Sequence, residues 1–179
     1  GKPLVLSPQY LVSCYKDLDG CDGGFTDIAW EDLVVNGTTT EECLPYKQSG
    51  KCPETCVDGS EIALYKPKNA YSVFIPFAYE SNVKAIQQEI MINGPVETTF
   101  WVFSDFSAYQ GGVYKRTSTT WSGAHAIKLI GWGVDKETGE KYWTVANSWG
   151  SAWGENGFFR IARGVNECGI EDVIEACLP

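Results

Sequence analysis

The sequence predicts an α+β fold with a change of character near residue 70. Three observations carry this. Helix-forming text with capping signals dominates the first part of the chain, while Thr-, Val- and aromatic-rich runs dominate the last part. Nineteen glycines and eight prolines fall between short apolar runs, as in a loop-rich protein with many turns. The hydrophobic fraction of 44% is ordinary for a globular chain and is enough for a buried core. The expected division is 1–70 as a helical, cysteine-rich part and 71–179 as a β-rich part.

The elements follow in order. Ser7-Pro8 before Gln9-Tyr10-Leu11-Val12 reads as a helix start, with Ser at the cap and Pro in the first turn. A second helix is expected over 27–36, with Gly37 ending it. Residues 38–80 read as loop pinned by cysteines. The clearest helical pattern runs from Ser81, the expected cap, through Val83, Ile86 and Ile90 to Asn93, where Gly94-Pro95 stops it. Strands are expected at 96–103, 125–132, 142–146 and 157–163, with the polar segment 135–140 turning between two of them.

Composition narrows the function. A net charge of −9 would repel a phosphate backbone, so nucleic acid is not the expected partner. No stretch approaches the roughly 18 unbroken apolar residues of a membrane span. The N-terminal run from Gly1 to Ser7 does not read as a signal peptide; it lacks an initiator Met and reads as processed or truncated. Seven cysteines favour an oxidising compartment, and Asn36-Gly37-Thr38 is a glycosylation sequon with Asn36 as its acceptor.

Two segments carry the chemistry: Gly123-Ala124-His125-Ala126-Ile127, and the run from Tyr142 through Asn147-Ser148-Trp149-Gly150. His125 is the chain's only histidine. It opens a predicted strand after small residues, and Asn147 ends the next apolar run. Adjacent antiparallel strands joined at 135–140 would bring the two side chains together. An amide oxygen accepting the imidazole N–H would fix the tautomer and turn the other ring nitrogen toward a nucleophile. Trp149 would shield that bond. The alternative, a structural histidine, an asparagine turn and a core tryptophan, stays open on pattern alone.

These segments resemble the signature of papain-like cysteine peptidases, whose chemistry is Cys–His–Asn. Further matches run in order along the chain: Leu6 to Cys14, Gly20-Cys21-Asp22-Gly23-Gly24, Cys43-Leu44-Pro45-Tyr46, Asn93-Gly94-Pro95-Val96, Ser104-Asp105-Phe106, Gly154 to Phe159, and Cys168-Gly169-Ile170-Glu171. The motifs at 94–97, 102–106 and 131–133 are similar to the cathepsin B branch. The resemblance implies a two-lobed fold, a helical left lobe (incomplete here) and an antiparallel, barrel-like right lobe whose C-terminal tail returns toward the left one, with the active site in the cleft between them. It implies disulfides Cys14–Cys52 and Cys43–Cys56, and a bond from Cys21 to a cysteine upstream of this chain. Cys168 and Cys177 stay unassigned. A zinc site built on Cys52 and Cys56 is the rival reading, but the remaining thiols are scattered rather than paired; neither metal nor cofactor is expected.

The resemblance also exposes a gap. The family's nucleophile lies in a Cys-Gly-Ser-Cys-Trp segment that these 179 residues do not contain. An upstream segment or a light chain is expected to supply it, and this chain alone is expected to be inactive. His125 and Asn147 are the implied catalytic residues, with Trp149 in support. Gly23 and Gly24 would bind extended substrate backbone. Phe25, Thr26, Thr99, Ala126 and Val173 would line the pocket for the second residue before the scissile bond, beside Ala124. Cathepsin B has an acidic residue at the position of Val173, so an apolar or aromatic preference is expected. The segment between Cys43 and Cys52 is short and lacks the histidine pair that binds a substrate's C-terminal carboxylate, so endopeptidase action is expected over carboxydipeptidase action. Protein or peptide substrates, cystatin-like inhibitors and a lysosomal, vacuolar or secreted location follow by the same resemblance. The rival functions are a non-catalytic secreted binding or matrix protein of this fold and a carbohydrate-binding module using the seven tryptophans.

Overall fold

The computed structural model describes residues 4–73 and 79–179, and the side chains of its third helix from residue 82 onward. The opening Gly1-Lys2-Pro3 lies outside the described residues. The chain forms two compact units, residues 1–70 with 177–179, and residues 71–176.

The first unit contains helices α1 (Pro8–Cys14) and α2 (Thr26–Val35). Ser7 caps α1, its Oγ accepting the Tyr10 N–H at 3.2 Å and donating to the Leu44 carbonyl at 2.6 Å. One buried hydroxyl thus joins a helix start to a loop far along the chain. Gln9 does similar work: its Oε1 accepts the Lys47 N–H at 2.6 Å and its Nε2 donates to Ser13 at 2.7 Å. Apolar burial is sparse, limited among the described residues to Tyr15, Cys43, Leu44 and Cys56, and α2 has no buried residue. Cys14 is bonded to Cys52 and Cys43 to Cys56. Both thiols of the zinc reading are therefore consumed. Asn36 caps the C-terminus of α2 and is exposed, its amide donating to Asp32 at 2.9 Å.

The second unit is built on a sheet. The strands are β1 (Asn69–Ser72), β2 (Val96–Phe103), β3 (Val113–Tyr114), β4 (Trp121–Val134), β5 (Lys141–Ala146), β6 (Phe158–Ala162) and β7 (Ile174–Leu178), in the order β1-β7-β2-β4-β5-β6-β3. The unit boundary falls within β1 and β7. The central pairings are antiparallel, whereas β3 joins β6 in parallel. Helix α3 (Tyr79–Ile92) precedes β2 and buries Ile86 in the core.

Several expectations need correction. The third helix begins at Tyr79, so Ser81 lies inside it and not at its cap. Residues 69–72, expected as loop, form β1. β4 begins at Trp121, so His125 sits within a strand rather than opening one. The reason is pairing: Ala124 and Gly123 lie opposite Trp101 and Val102, and backbone bonding to β2 extends the strand through residues with little strand propensity of their own.

The core follows the two-residue alternation of the strands. Val96, Thr98 and Phe100 of β2, Ile127 and Leu129 of β4, Trp143 and Val145 of β5, and Phe159 and Ile161 of β6 all point inward. Glu171 is also buried. Its carboxylate takes the Trp143 indole N–H at 2.7 Å and the backbone N–H groups of Gly164 (2.6 Å) and Asn166 (2.9 Å), so three donors offset its loss of water.

Candidate active site

The inward rows of β4 and β5 place the candidate site. On β4 the row runs Leu129, Ile127, then His125; on β5 it runs Trp143, Val145, then Asn147, the first residue past the strand. With Lys128 opposite Ala146, both rows run out of apolar residues at the same end of the sheet. There His125 Nε2 and Asn147 Oδ1 lie 2.9 Å apart.

Roles within this bond follow from a second contact. The same Oδ1 accepts the backbone N–H of Ser148 at 2.8 Å. An amide nitrogen facing that N–H would meet donor with donor, so the oxygen must face it. An amide oxygen only accepts, so Nε2 of a neutral His125 carries the proton and Nδ1 is left with a free lone pair. The imidazole is thereby fixed to present Nδ1 as base or ion-pair partner. The Asn147 Nδ2 is buried without a hydrogen-bond partner among the described residues. Such an orphan costs about 1–3 kcal/mol; the amide is oriented for its oxygen.

Aromatic rings hold the imidazole. Trp149 stacks on His125 with centroids 5.3 Å apart and planes at 22°, and Phe100 approaches from β2 at 6.1 Å. Trp149 is braced by Phe106 at 5.4 Å and Trp153 at 5.1 Å. At 42% exposure it covers the His–Asn bond with one face and shows the other to solvent. The loop carrying it depends on Gly154, at φ +57°, where a Cβ would fall 2.6 Å from the Phe158 carbonyl oxygen. The bracing by Phe106 and Trp153 is not marked by periodicity; a tryptophan within the glycine-rich run after Asn147 was its one signal.

The other sequence-derived candidates divide between the units. In the first, Gly23, Gly24 and Phe25 are exposed, and Thr26 begins α2. In the second, Thr99 pairs with Ala126, and Val173 comes alongside Thr99, one residue before the Ile174–Thr98 pair. Ala124, Ala126 and Val173 are exposed. None of the remaining free thiols is set up as nucleophile beside His125. Burial, with Glu167 adding to it, pushes the Cys168 thiol up to about 12, and burial also raises Cys177. Cys21 is exposed and donates to the Gln48 carbonyl. Among the described residues no group of three or more His, Cys, Asp or Glu side chains is placed to hold a metal ion.

A histidine oriented by an asparagine beneath a tryptophan, at one end of an α+β sheet unit, is an arrangement of the Cys–His–Asn kind, here without its thiol. The family model for papain family cysteine proteases matches residues 1–178, and the chain belongs to that family. It is 42% identical to cathepsin B-like CP3 of Giardia intestinalis over 179 residues, covering 97% of this chain and 58% of that protein. Among solved structures, procathepsin B S9 of Trypanosoma congolense superposes with a TM-score of 0.90 at 34% identity, covering all of this chain and 61% of that one. Procathepsin L2 from the larval midgut of Tenebrio molitor gives 0.83 at 32% identity, covering 100% and 55%. The chain thus spans a little over half the length of these relatives, and its fold is papain-like.

Proposed function

We propose that these residues are the histidine- and asparagine-bearing portion of a cysteine-type endopeptidase acting in an acidic compartment, lysosomal, vacuolar or extracellular. The observation that carries this is the His125–Asn147 bond beneath Trp149, which leaves Nδ1 to face a thiol. The thiol comes from a segment outside these 179 residues, upstream or on a light chain, to which Cys21 is disulfide-bonded. Two disulfides within the chain support an oxidising compartment.

The reaction runs in two steps. The thiolate adds to the peptide carbonyl, and the amine leaves with the proton held at His125 Nδ1, giving a thioester. Water then adds, losing a proton to Nδ1, and the acid departs as the thiolate is expelled, restoring the thiolate–imidazolium pair. Asn147 keeps the ring aligned through both proton transfers, and Trp149 keeps water off the aligning bond. In the first unit Gly23, Gly24, Phe25 and Thr26 are the residues for extended substrate backbone, in the second Thr99, Ala124, Ala126 and Val173 are those for a substrate side chain, and cystatin-like inhibitors would compete for either set. Val173 carries no charge, so an apolar residue is preferred two positions before the scissile bond, and carboxydipeptidase action is weak.

The test is hydrolysis by the full-length protein. Thiol-dependent cleavage of a Phe-Arg amide, at least tenfold faster than of an Arg-Arg amide, is expected. Absence of any thiol-dependent cleavage would leave a non-catalytic binding protein of this fold. Equal rates on both substrates would remove the role given to Val173.

A further inference from the structure

The sequon Asn36-Gly37-Thr38 lies where α2 ends, and the proposed peptidase chemistry makes no use of it. Two of its three residues are accounted for by the fold. Gly37 takes φ +76°, and a Cβ there would fall 2.8 Å from the Tyr65 carbonyl oxygen and 2.7 Å from the Lys66 Cγ. Only glycine fits that turn out of the helix. Thr38 is 2% exposed. Its N–H donates to the Tyr65 carbonyl at 2.9 Å, its carbonyl accepts the Tyr65 N–H at 2.8 Å, and its hydroxyl donates to the Ser7 carbonyl at 3.1 Å.

Asn36 is different. Its backbone N–H closes the helix on the Asp32 carbonyl at 2.7 Å, a bond that any residue except proline makes. Its side chain is exposed, and the amide donates to Asp32 Oδ1 at 2.9 Å. A primary amide has two N–H donors. One is spent on Asp32, and the other has no partner among the described residues. Substitution at Nδ2 removes one hydrogen and keeps the other, so the bond to Asp32 survives the attachment of a group there.

We infer that Asn36 carries an N-linked glycan, attached before this part of the chain folds. This rests on the oxidising compartment of the proposed function, reached by the secretory route. The donor is an oligosaccharide linked to a lipid pyrophosphate. Asn36 Nδ2 bonds to the anomeric carbon of the first sugar, the bond from that carbon to the phosphate oxygen breaks, the lipid pyrophosphate leaves, and the amide gives up one proton. The order of events follows from Thr38. The transferase must engage the sequon hydroxyl, which the fold buries and spends on Ser7. Tyr65 lies downstream, so Asn36 is synthesised before the backbone partner of Thr38 exists. Pairing of Thr38 with Tyr65 closes the window. The glycan then projects from the end of α2 beside Val35, which is 66% exposed, and solubilises that surface.

The experiment takes the full-length protein, purified from the cells that make it, with its Asn36→Gln and Thr38→Ser variants. Peptide N-glycosidase in heavy-oxygen water converts a glycosylated asparagine into labelled aspartate, read by peptide mass spectrometry. Labelled aspartate is expected at position 36 of the wild type and of Thr38→Ser, which keeps the sequon hydroxyl, while Asn36→Gln is expected to lose the glycan mass. Unmodified asparagine at position 36 would overturn the proposal, as would unlabelled aspartate, the product of spontaneous amide hydrolysis. The cysteine peptides of the same digest separate the two readings. A bare Asn36 with Cys14–Cys52 and Cys43–Cys56 formed overturns the glycan alone, whereas a bare Asn36 with free thiols overturns the compartment as well. The order of events is read on glycan-free protein given an oligosaccharyltransferase and a lipid-linked oligosaccharide. Transfer to the folded, disulfide-intact protein is expected to be at least about tenfold slower than to the reduced, unfolded chain, because Thr38 must first be released. Equal rates would overturn attachment before folding.

Discussion

Asn147 spends both acceptor sites of its oxygen, one on the His125 ring and one on the Ser148 N–H, and its own amide hydrogens find no partner among the described residues. His125 is the sole histidine of these 179 residues, and loss of its signals in His125→Ala assigns its ring nitrogens by nitrogen NMR in the full-length protein. The Nε2–H tautomer is expected for the neutral ring, and Asn147→Ala is expected to release it into a mixture with the Nδ1–H form. A wild-type ring protonated at Nδ1 would contradict the assignment. At this scale the sequence was readable where partners are local. His125 lies on β4 and Asn147 just past the end of β5, with one short turn joining the two strands, so their meeting could be expected from alternation. The contact between Trp101 and Trp121, with ring centroids 6.4 Å apart, depends on a register irregularity between Val102 and Phe103, which leaves no trace in the alternation of apolar residues.

The β4–β5 hairpin is the element that holds the pair, and its turn is knotted by charge. Asp135 accepts the N–H groups of Glu137 and Thr138 and the Arg160 guanidinium at 2.7 Å; Arg160 also grips Glu155. The Thr138 N–H first, then Arg160 and Glu137, lower the Asp135 carboxyl from the ordinary 3.8 to about 2, and Arg160 chiefly lowers Glu155. A carboxyl depressed by folding contributes stability above its ordinary value and loses it as pH falls through the folded value. The Asp135 contribution is therefore intact at the pH of an acidic compartment and vanishes only from about pH 4 down to about 2. Thermal unfolding followed from pH 5 to pH 2 is expected to fall more steeply for the wild type than for Asp135→Asn below pH 4. Parallel curves would show that the turn plays no part. The polar turn was legible in Asp135 to Glu140, but Arg160 and Glu155 join it from beyond β5. The same distance effect hid β7, whose partner β2 is remote in sequence, and β3, whose parallel pairing with β6 no hairpin signal announces.

Across the whole molecule the two units are stabilised differently. The second has a continuous aromatic and aliphatic core around Phe100, Phe106, Trp143 and Phe159. The first has few buried apolar residues and two disulfides spanning 38 and 13 residues. On loop-entropy grounds these links contribute about 4 and about 3 kcal/mol. Reduction is therefore expected to open residues 4–70 to amide exchange while β2, β4, β5 and β6 stay protected; uniform loss of protection would contradict this. The broad α+β division was visible in the shift from capped helical text to strand text. The buried Ser7 and Gln9 contacts of the first unit were not, because composition does not distinguish them from surface polarity.

Under the proposed function, His125 moves the proton between a thiol supplied from outside these residues and the substrate amine. The most direct measurement is kcat/KM of the full-length protein and its His125→Ala variant on a Phe-Arg amide under reducing conditions, with matched unfolding profiles. Removing a positioned acid–base group is expected to lower the rate by about 10²–10⁴-fold. A His125→Ala protein retaining activity within a few-fold of wild type would contradict the account.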